Sequence, residues 1–313
     1  MARIPMCAMM DKALSGHKIG FVGLGNMGGP IAGHLHAAGG DVIVWNRSDA
    51  RAEVAVARGM KRAASLPELA REIGDGTVCL CLSDTAAVEA VVFGAGGLIE
   101  GLSAGALTID FGTTGVPATR QFGARLNWVD APVSGGQVGA EAASLTIMAG
   151  GSDAAFQRAL PILQTVGKRI THLGPTGSGQ VTKLANQLIV AQTIDAVAQA
   201  LRLAELAGLD AALVRKALLG GFAESRILDL HGDRMARRQF VAGGRAALQL
   251  KDVRLICQLA ESLGFESATL QNSLAQWERM VEHMGLGELD HSGLFRIYEE
   301  AGEAAAPEQG PRD

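Results

Sequence analysis

Apolar runs alternate with helical stretches along the first half of the chain. The runs KIGFVGL, DVIVWN, TVCLCLSD, ALTIDFGTT and SLTIMAGG are candidate strands, and RAEVAVARGM, TAAVEAVVF and PATRQFGARL between them have the composition of helices. Continuous apolar strands that alternate with helices are typical of a parallel sheet covered on both faces. The pattern therefore predicts an α/β fold with a parallel sheet for residues 17–177.

The pattern changes near HLGPTGSGQ, after which almost only helical periodicity remains. Residues 178–208 are apolar on nearly every face and predict one helix about 45 Å long. Thr176 or Ser178 is expected to cap it.

The domain prediction follows from these changes along the chain. We expect a flexible leader, a sheet domain, an all-α domain joined to it by the long interdomain helix, and a disordered polar tail. Their ranges are 1–16, 17–177, 178–300 and 301–313.

A glycine turn separates the first strand from the first helix. Gly23, Gly25 and Gly28 form G-x-G-x-x-G, with a second strand following where the dinucleotide fingerprint requires it. The sequence predicts that this turn binds the pyrophosphate of a nicotinamide dinucleotide. The residues assigned to it are Gly23, Leu24, Gly25, Asn26, Met27 and Gly28.

The end of the second strand bears on the choice between NAD and NADP. Asn46, Arg47 and Ser48 stand where NAD-binding proteins carry an acid. A guanidinium and a hydroxyl suit a 2′-phosphate, so NADP is predicted, with NAD possible if Asp49 takes the acidic role. Leu82 and Thr113, after two further strands, are also assigned to the cofactor because ligands bind at the carboxyl ends of parallel strands.

Composition narrows the class of protein. A net charge of −4 without a basic run argues against nucleic acid, and no 20-residue apolar stretch predicts a membrane span. The four cysteines and seven histidines show no metal-ligand spacing, so no metal is predicted. Reduced thiols and the lack of a signal sequence favour the cytoplasm.

Lys183 opens the long apolar helix, with Asn186 on the same face and Gln187 beside it. A lysine that merely extends from the helix end to water is one interpretation. The other is a general acid/base that gives a proton to an alkoxide formed by hydride transfer. The helix alone leaves both open.

Four ordered motifs carry a family resemblance. GLGNMG, DAPVSGGQVGA, GSGQVTKLANQ and LKDV resemble the β-hydroxyacid dehydrogenase family over residues 17–300, and DHSGL brings the chain nearest its tartronate semialdehyde (2-hydroxy-3-oxopropionate) reductases. The resemblance implies a small carboxylated substrate, a homodimer or homotetramer, and a catalytic Lys183 with Asn186 beside it. It also implies a substrate-carboxylate cradle at Ser134, Gly135 and Gly136, and a place near the cofactor for Lys251.

Departures from the family pattern concern the substrate. Ala143 stands where the family often has glycine, and Gly244 where close relatives carry phenylalanine. Gln187, Arg226 and Arg245 are predicted to contact substrate. The two arginines could hold a second carboxylate, with surface ion pairs as the alternative.

The function predicted is an NADP(H)-preferring oxidoreductase that interconverts a short 3-hydroxy acid and its semialdehyde. Two alternatives are enzymes: an NAD-dependent 3-hydroxyisobutyrate dehydrogenase and a dehydrogenase of a larger sugar-derived hydroxy acid. A third is a catalytically silent dinucleotide-binding interaction protein, which the presence of Lys183 and of the Ser134–Gly136 turn argues against.

Overall fold

The computed structural model describes residues 13–241 and 243–303. Most of the predicted leader and tail, with Cys7, therefore lies outside the described residues. Residues 13–16 form a turn whose Leu14 is fully buried and donates its N–H to the carbonyl of Ala38. The chain forms two compact units, Met1–Lys183 and Leu184–Asp313.

Six parallel strands form the main sheet of the first unit, in the order β3-β2-β1-β4-β5-β6. They are β1 (Lys18–Val22), β2 (Asp41–Trp45), β3 (Lys61–Arg62), β4 (Thr77–Leu80), β5 (Leu107–Asp110) and β6 (Asn127–Asp130). The predicted parallel sheet is confirmed, and the two-residue β3 was not predicted. Strand order reverses between β1 and β4, so the carboxyl ends of these strands mark the expected ligand crevice.

Helices connect these strands and cover both faces of the sheet. They are α1 (Gly28–Ala37), α2 (Asp49–Ala57), α3 (Leu66–Ile73), α4 (Thr85–Phe93) and α5 (Val116–Arg125). Phe21 and Val22 are adjacent on β1 and belong to different apolar clusters, because successive strand residues point to opposite faces. Burial on both faces explains why the strands are continuously apolar.

A second, three-stranded sheet follows in the first unit. It contains β7 (Val133–Ser134), β8 (Leu145–Ala149) and β9 (Gly167–His172), with α6 (Gly136–Glu141) and α7 (Asp153–Val166) between them. β8 pairs antiparallel with β7 and parallel with β9. The predicted strand SLTIMAGG is thus present but belongs to this sheet rather than to the main one.

Helices dominate the second unit, as predicted. The 29-residue α8 (Ser178–Leu206) begins in the first unit and ends in the second. It is followed by α9 (Ala211–Leu218), α10 (Arg226–Arg237), α11 (Ala246–Ser262), α12 (Ala268–Glu278) and α13 (Arg296–Glu303), with short helical turns at Arg279–His283 and His291–Phe295. Within the described ranges, no helix is long and apolar enough to cross a membrane.

Candidate active site

The glycine turn after β1 has a conformation that side chains would prevent. Gly23 has φ +97°, and a Cβ there would lie 2.3 Å from the carbonyl oxygen of Cys81. A Cβ on Gly28 would lie 1.9 Å from the carbonyl oxygen of Gly23, so this glycine lets α1 pack against the turn. Over Gly25, the one described heavy atom within 4 Å of such a Cβ is Nη1 of Arg51, at 3.2 Å. The backbone at Gly25 is therefore open to a close ligand.

The side chain of Asn46 holds this turn to the end of β2. Its Oδ1 accepts the N–H of Leu24 at 2.9 Å, and its Nδ2 donates to the carbonyl of Ser48 at 2.9 Å. Leu82, after β4, packs against the turn at Gly23. These contacts form a cradle that fits the pyrophosphate of a dinucleotide, and they give Asn46 a bracing role in addition to the predicted cofactor contact.

Arg47, Arg51 and Arg58 lie in the segment that follows β2, where a 2′-phosphate is predicted to bind. Arg47 is exposed and makes no hydrogen bond or ion pair within the described residues. Arg51 approaches the turn from α2, with Nη1 3.5 Å from the carbonyl oxygen of Leu24, and lines a cavity of about 200 Å³ with Arg58. Asp49 is paired with Arg62, so its charge is partly neutralised. We did not predict Arg51, which lies in the first turn of α2.

The loop after β5 is held by the carboxylate of Asp110. Its Oδ2 accepts the hydroxyl of Thr114 at 2.6 Å, and its Oδ1 accepts the N–H of Gly112 at 2.8 Å. Thr114 is buried, whereas Thr113 is partly exposed. Of the two threonines, Thr113 is the one that a ligand can reach.

The predicted carboxylate cradle lies between β7 and α6. Gly135 and Gly136 have φ +133° and +63°, and a Cβ on Gly136 would meet nothing within 4 Å. Two successive positive φ angles are a conformation that glycine adopts without strain. Ser134, at the end of β7, is partly exposed. This backbone turn can present N–H groups and a hydroxyl to an anion.

The start of α8 is anchored to β6 by a buried carboxylate. Oδ1 of Asp130 accepts the N–H of Gly177 at 2.7 Å, and Oδ2 accepts the N–H of Gln180 at 2.8 Å. A Cβ on Gly179 would lie 2.3 Å from the carbonyl oxygen of Met148, so the helix end approaches the second sheet closely. The predicted cap was Thr176 or Ser178, whereas the hydroxyl of Thr176 is directed to the carbonyl of Trp128. Burial raises the pKa of Asp130 to about 6, although the N–H groups oppose the shift.

Gln180 connects the first turn of α8 to the loop after β5. Its Oε1 accepts the N–H of Thr114 at 3.1 Å, and its Nε2 donates to the carbonyl of Gly112 at 2.9 Å. Lys183 lies on the next turn of the helix and is 8% exposed. A lysine that merely reached out to solvent would be far more exposed. The burial of Lys183 therefore favours the functional interpretation.

In the second unit, a chain of polar contacts runs from α8 to α11. Asn186 donates to Oε1 of Gln187 at 2.9 Å, and Nε2 of Gln187 donates to Oδ2 of Asp252 at 2.6 Å and to Gln249 at 3.1 Å. Asp252 is 6% exposed and pairs with Lys251 at 2.9 Å. The Lys–Asp dipeptide is thus a partly buried pair linked to Asn186, rather than a solvated surface pair.

The two arginines predicted to contact substrate differ in their surroundings. Arg226 is exposed at the start of α10 and makes no hydrogen bond or ion pair among the described residues. Arg245 pairs with Glu288 at 3.2 Å, both side chains being well exposed, which is the alternative considered above. A Cβ on Gly244 would lie 3.3 Å from Nε2 of His291, so an imidazole borders the position where the family resemblance implies phenylalanine.

Two family models together match nearly the whole described chain. Residues 18–174 match the NAD-binding domain of 6-phosphogluconate dehydrogenase, and residues 177–298 match the NAD-binding domain of NADP-dependent 3-hydroxyisobutyrate dehydrogenase. Among curated relatives, 2-hydroxy-3-oxopropionate reductase of Escherichia coli is 37% identical over 289 residues, which cover 90% of this chain and 97% of that protein. The chain belongs to the β-hydroxyacid dehydrogenase family.

Other members of the β-hydroxyacid dehydrogenase family support the same assignment. 2-(Hydroxymethyl)glutarate dehydrogenase of Eubacterium barkeri is 30% identical over 297 residues, covering 93% of this chain and 97% of that protein. The structure of Mycobacterium tuberculosis 3-hydroxyisobutyrate dehydrogenase with L-serine aligns with a TM-score of 0.81 and 29% identity, covering 90% of this chain and 98% of that one. The protein is an NAD(P)-dependent oxidoreductase of hydroxy acids.

Proposed function

We propose that this β-hydroxyacid dehydrogenase is an NADP(H)-preferring reductase of a short 3-oxo acid, with Lys183 as the general acid. The observation that carries the proposal is the burial of Lys183 in a helix start fixed by Asp130 and Gln180. A proton donor must be held within about 3 Å of the reacting oxygen, so a fixed and desolvated lysine suits the role. The similarity to 2-hydroxy-3-oxopropionate reductase supports a semialdehyde substrate.

The reaction requires one proton from the protein. When bound, the reduced nicotinamide supplies a hydride, which forms a C–H bond at the aldehyde carbon. The electrons of the carbonyl π bond move to oxygen, and Nζ of Lys183 donates a proton to that oxygen. The product is the 3-hydroxy acid, and the neutral lysine regains its proton from solvent. Oxidation of the alcohol reverses each step, with Lys183 as the base.

The remaining site residues bind the substrate and the cofactor and orient the reacting groups. Ser134, Gly135 and Gly136 hold the substrate carboxylate through a hydroxyl and backbone N–H groups. Asn186 orients the reacting groups, since its amide is itself held by Gln187. Asp252 accepts a hydrogen bond from Gln187 and pairs with Lys251, and this pairing positions Lys251 for the cofactor.

A second candidate substrate carries two carboxylates. Arg226 is exposed, and Gly244 leaves only the imidazole of His291 at a position where close relatives have an aromatic wall. The Eubacterium barkeri relative is named for a hydroxymethyl dicarboxylate, which has this chemistry. 3-Hydroxyisobutyrate with NAD is the third substrate to compare.

Cytoplasmic location and homo-oligomeric assembly complete the proposal. The described cysteines Cys79, Cys81 and Cys257 are free thiols, which suits a reducing compartment. Leu203, Leu206 and Leu213 are each more than half exposed, and large apolar surfaces are usually covered by a partner.

The decisive measurement is NADPH oxidation with tartronate semialdehyde, comparing the wild type with Lys183→Met. Methionine fills the buried space without a transferable proton. We expect kcat to fall roughly 10²–10⁴-fold, with NADPH affinity by fluorescence titration unchanged. Lys168→Met, at an exposed lysine on β9, is the matched control and should retain full activity.

The outcomes separate the parts of the proposal. A kcat for Lys183→Met within tenfold of the wild type removes the general-acid role. If the wild type binds NADPH but does not reduce tartronate semialdehyde, and instead oxidises 2-(hydroxymethyl)glutarate with NADP⁺, the substrate assignment moves to dicarboxylates.

A further inference from the structure

Two histidines and an aspartate that the proposed reaction does not use come together in the second unit. His231 lies on α10, and Asp290 and His291 lie at the start of the His291–Phe295 turn. One ring nitrogen of each histidine and a carboxylate oxygen lie within 4.8 Å of one another. The two imidazole rings have centroids 4.6 Å apart and are inclined by 59°.

The hydrogen-bonding state of His231 is unusual for a buried side chain. His231 is 9% exposed, and neither ring nitrogen has a hydrogen-bond partner among residues 13–241 and 243–303. A buried polar group without a partner has lost its hydrogen bonds to water, so such a group calls for an explanation. Burial lowers the pKa of His231 to about 4, and His291 and Arg234 act in the same direction while Asp290 opposes them. An ion bound in the cluster would give His231 the partner that it lacks among the described residues.

We propose that His231, Asp290 and His291 bind a borderline divalent transition-metal ion such as Zn²⁺. Two imidazoles and one carboxylate form a ligand set that suits zinc, cobalt and nickel, with water completing a tetrahedral shell. Nothing in the dehydrogenase reaction requires this ion, so the inference stands apart from the proposed function.

The geometry requires a modest contraction of the cluster. At metal–nitrogen distances of about 2.0–2.1 Å, tetrahedral ligand atoms lie roughly 3.3 Å apart. The three ligand atoms must therefore approach by up to about 1.5 Å, a shift that side-chain rotations supply.

The contacts of Asp290 orient its carboxylate for an ion but also lower the affinity of the site. Oδ1 accepts the N–H of Ser292 at 3.0 Å and its hydroxyl at 2.6 Å. Oδ2 accepts the N–H groups of Gly243 and Gly244 and pairs with Arg234 at 2.7 Å. These partners orient the carboxylate, as outer contacts of metal ligands do. The ion takes the lone pair now used by the rotatable Ser292 hydroxyl, and the positive charge of Arg234 weakens the affinity.

A bound ion would connect three segments of the helical unit. His231 belongs to α10, His291 to the turn before α13, and Asp290 holds the Gly243–Gly244 turn before α11. We therefore expect zinc to raise the melting temperature of the wild-type protein.

The test is a zinc titration by calorimetry on the full-length, tag-free protein, stripped with EDTA. We expect one Zn²⁺ per chain for the wild type and at least tenfold weaker binding for His231→Leu and for His291→Asn. His283→Leu, at an exposed histidine of the same unit, is the matched control and should bind as the wild type does. Co²⁺ should give the visible d–d absorption of a tetrahedral site with the wild type, and this absorption should be lost in His231→Leu.

Two results would overturn the inference. One is a wild type that binds no zinc and shows no Co²⁺ absorption, in which case a buried water satisfies His231. The other is a zinc affinity unchanged by both histidine substitutions. If His231→Leu does not fold by circular dichroism, the wild-type Co²⁺ spectrum and His291→Asn decide the matter alone.

Discussion

Arg47 and Asp49 lie two residues apart after β2, and their side chains are in opposite situations. Arg47 makes no ion pair within the described residues, whereas Asp49 is paired with Arg62. A ribose 2′-hydroxyl needs a carboxylate acceptor, and a 2′-phosphate needs a cation. The arrangement therefore leaves a cation available and an acid engaged, which favours NADP.

Reversing the charge at this position should reverse the cofactor preference. A charged hydrogen bond contributes about 1.5–3 kcal/mol, so Arg47→Asp should lower the ratio of kcat/KM for NADPH to that for NADH roughly tenfold to hundredfold. Steady-state kinetics with both cofactors measure the ratio. Arg71→Asp, at an exposed arginine on α3, makes the same change in net charge and should leave the ratio unaltered. An unchanged ratio in Arg47→Asp would contradict the predicted contact between Arg47 and a 2′-phosphate.

At the scale of one element, Ala143 shows how the chain departs from its family. It has φ +47° and comes immediately after Ala142, the residue that caps the end of α6. The N–H of Ser144 bonds to the carbonyl of Gly139 at 2.9 Å, and the N–H of Ala143 to that of Ala140 at 3.3 Å. This pattern is a helix C-terminal turn in which the left-handed position is usually glycine. The glycine that the family often has here thus has a physical reason, and alanine carries strain.

Relieving that strain should stabilise the protein. A left-handed alanine costs about 1–2 kcal/mol, while glycine adds about 0.4–1 kcal/mol of unfolded-state entropy. We expect Ala143→Gly to raise the free energy of unfolding by roughly 0.5–1 kcal/mol, as measured by urea denaturation. Ala142→Gly, at φ −87°, has no strain to relieve and should lower it. Loss of stability in both variants would mean that Ala143 is not strained.

Helices and strands were predictable from the sequence where their residue pattern is local. The start of α8 shows the limit, because a residue far away in the sequence caps it. The apolar runs predicted β1, β2, β4 and β5 because each strand is buried on both faces. The cap of α8 is Asp130, which precedes Gln180 by 50 residues, and no local pattern indicates such a contact. Ser134–Gly136 and Lys251 were assigned by family resemblance, since a glycine pair or a Lys–Asp pair alone has no distinctive signal.

At the scale of the whole molecule, folding brings together residues that spacing keeps apart. His231 and His291 are separated by 60 residues, far beyond the short spacings that identify a metal site in a sequence. The same holds for Asn186 and Asp252, which both contact Gln187. The sequence predicted the class of fold, which is confirmed, and it supplied the hypotheses for the cofactor turn and, with the family resemblance, for Lys183. The contacts that hold these residues depend on tertiary structure.

Stability as a function of pH should combine opposing contributions from the two units. The pKa of Asp130 is raised to about 6 in the folded state, so its contribution to stability is present at low pH and is lost as the pH rises through about 6. The pKa of His231 is lowered to about 4, so its contribution is lost as the pH falls below the unfolded value. Between pH 4 and 6.5 the two effects partly cancel, because acidification strengthens the contribution of Asp130 and weakens that of His231.

Asp130→Asn separates the two contributions, because asparagine does not titrate. A pKa rise from 3.8 to about 6 corresponds to at most about 3 kcal/mol. The free energy of unfolding of the wild type relative to Asp130→Asn should therefore increase by up to that amount as the pH falls from 7 to 4. Urea denaturation at each pH measures the difference. If the difference instead decreases on acidification, the N–H groups of Gly177 and Gln180 outweigh burial, and Asp130 is a charged cap of α8 at every working pH.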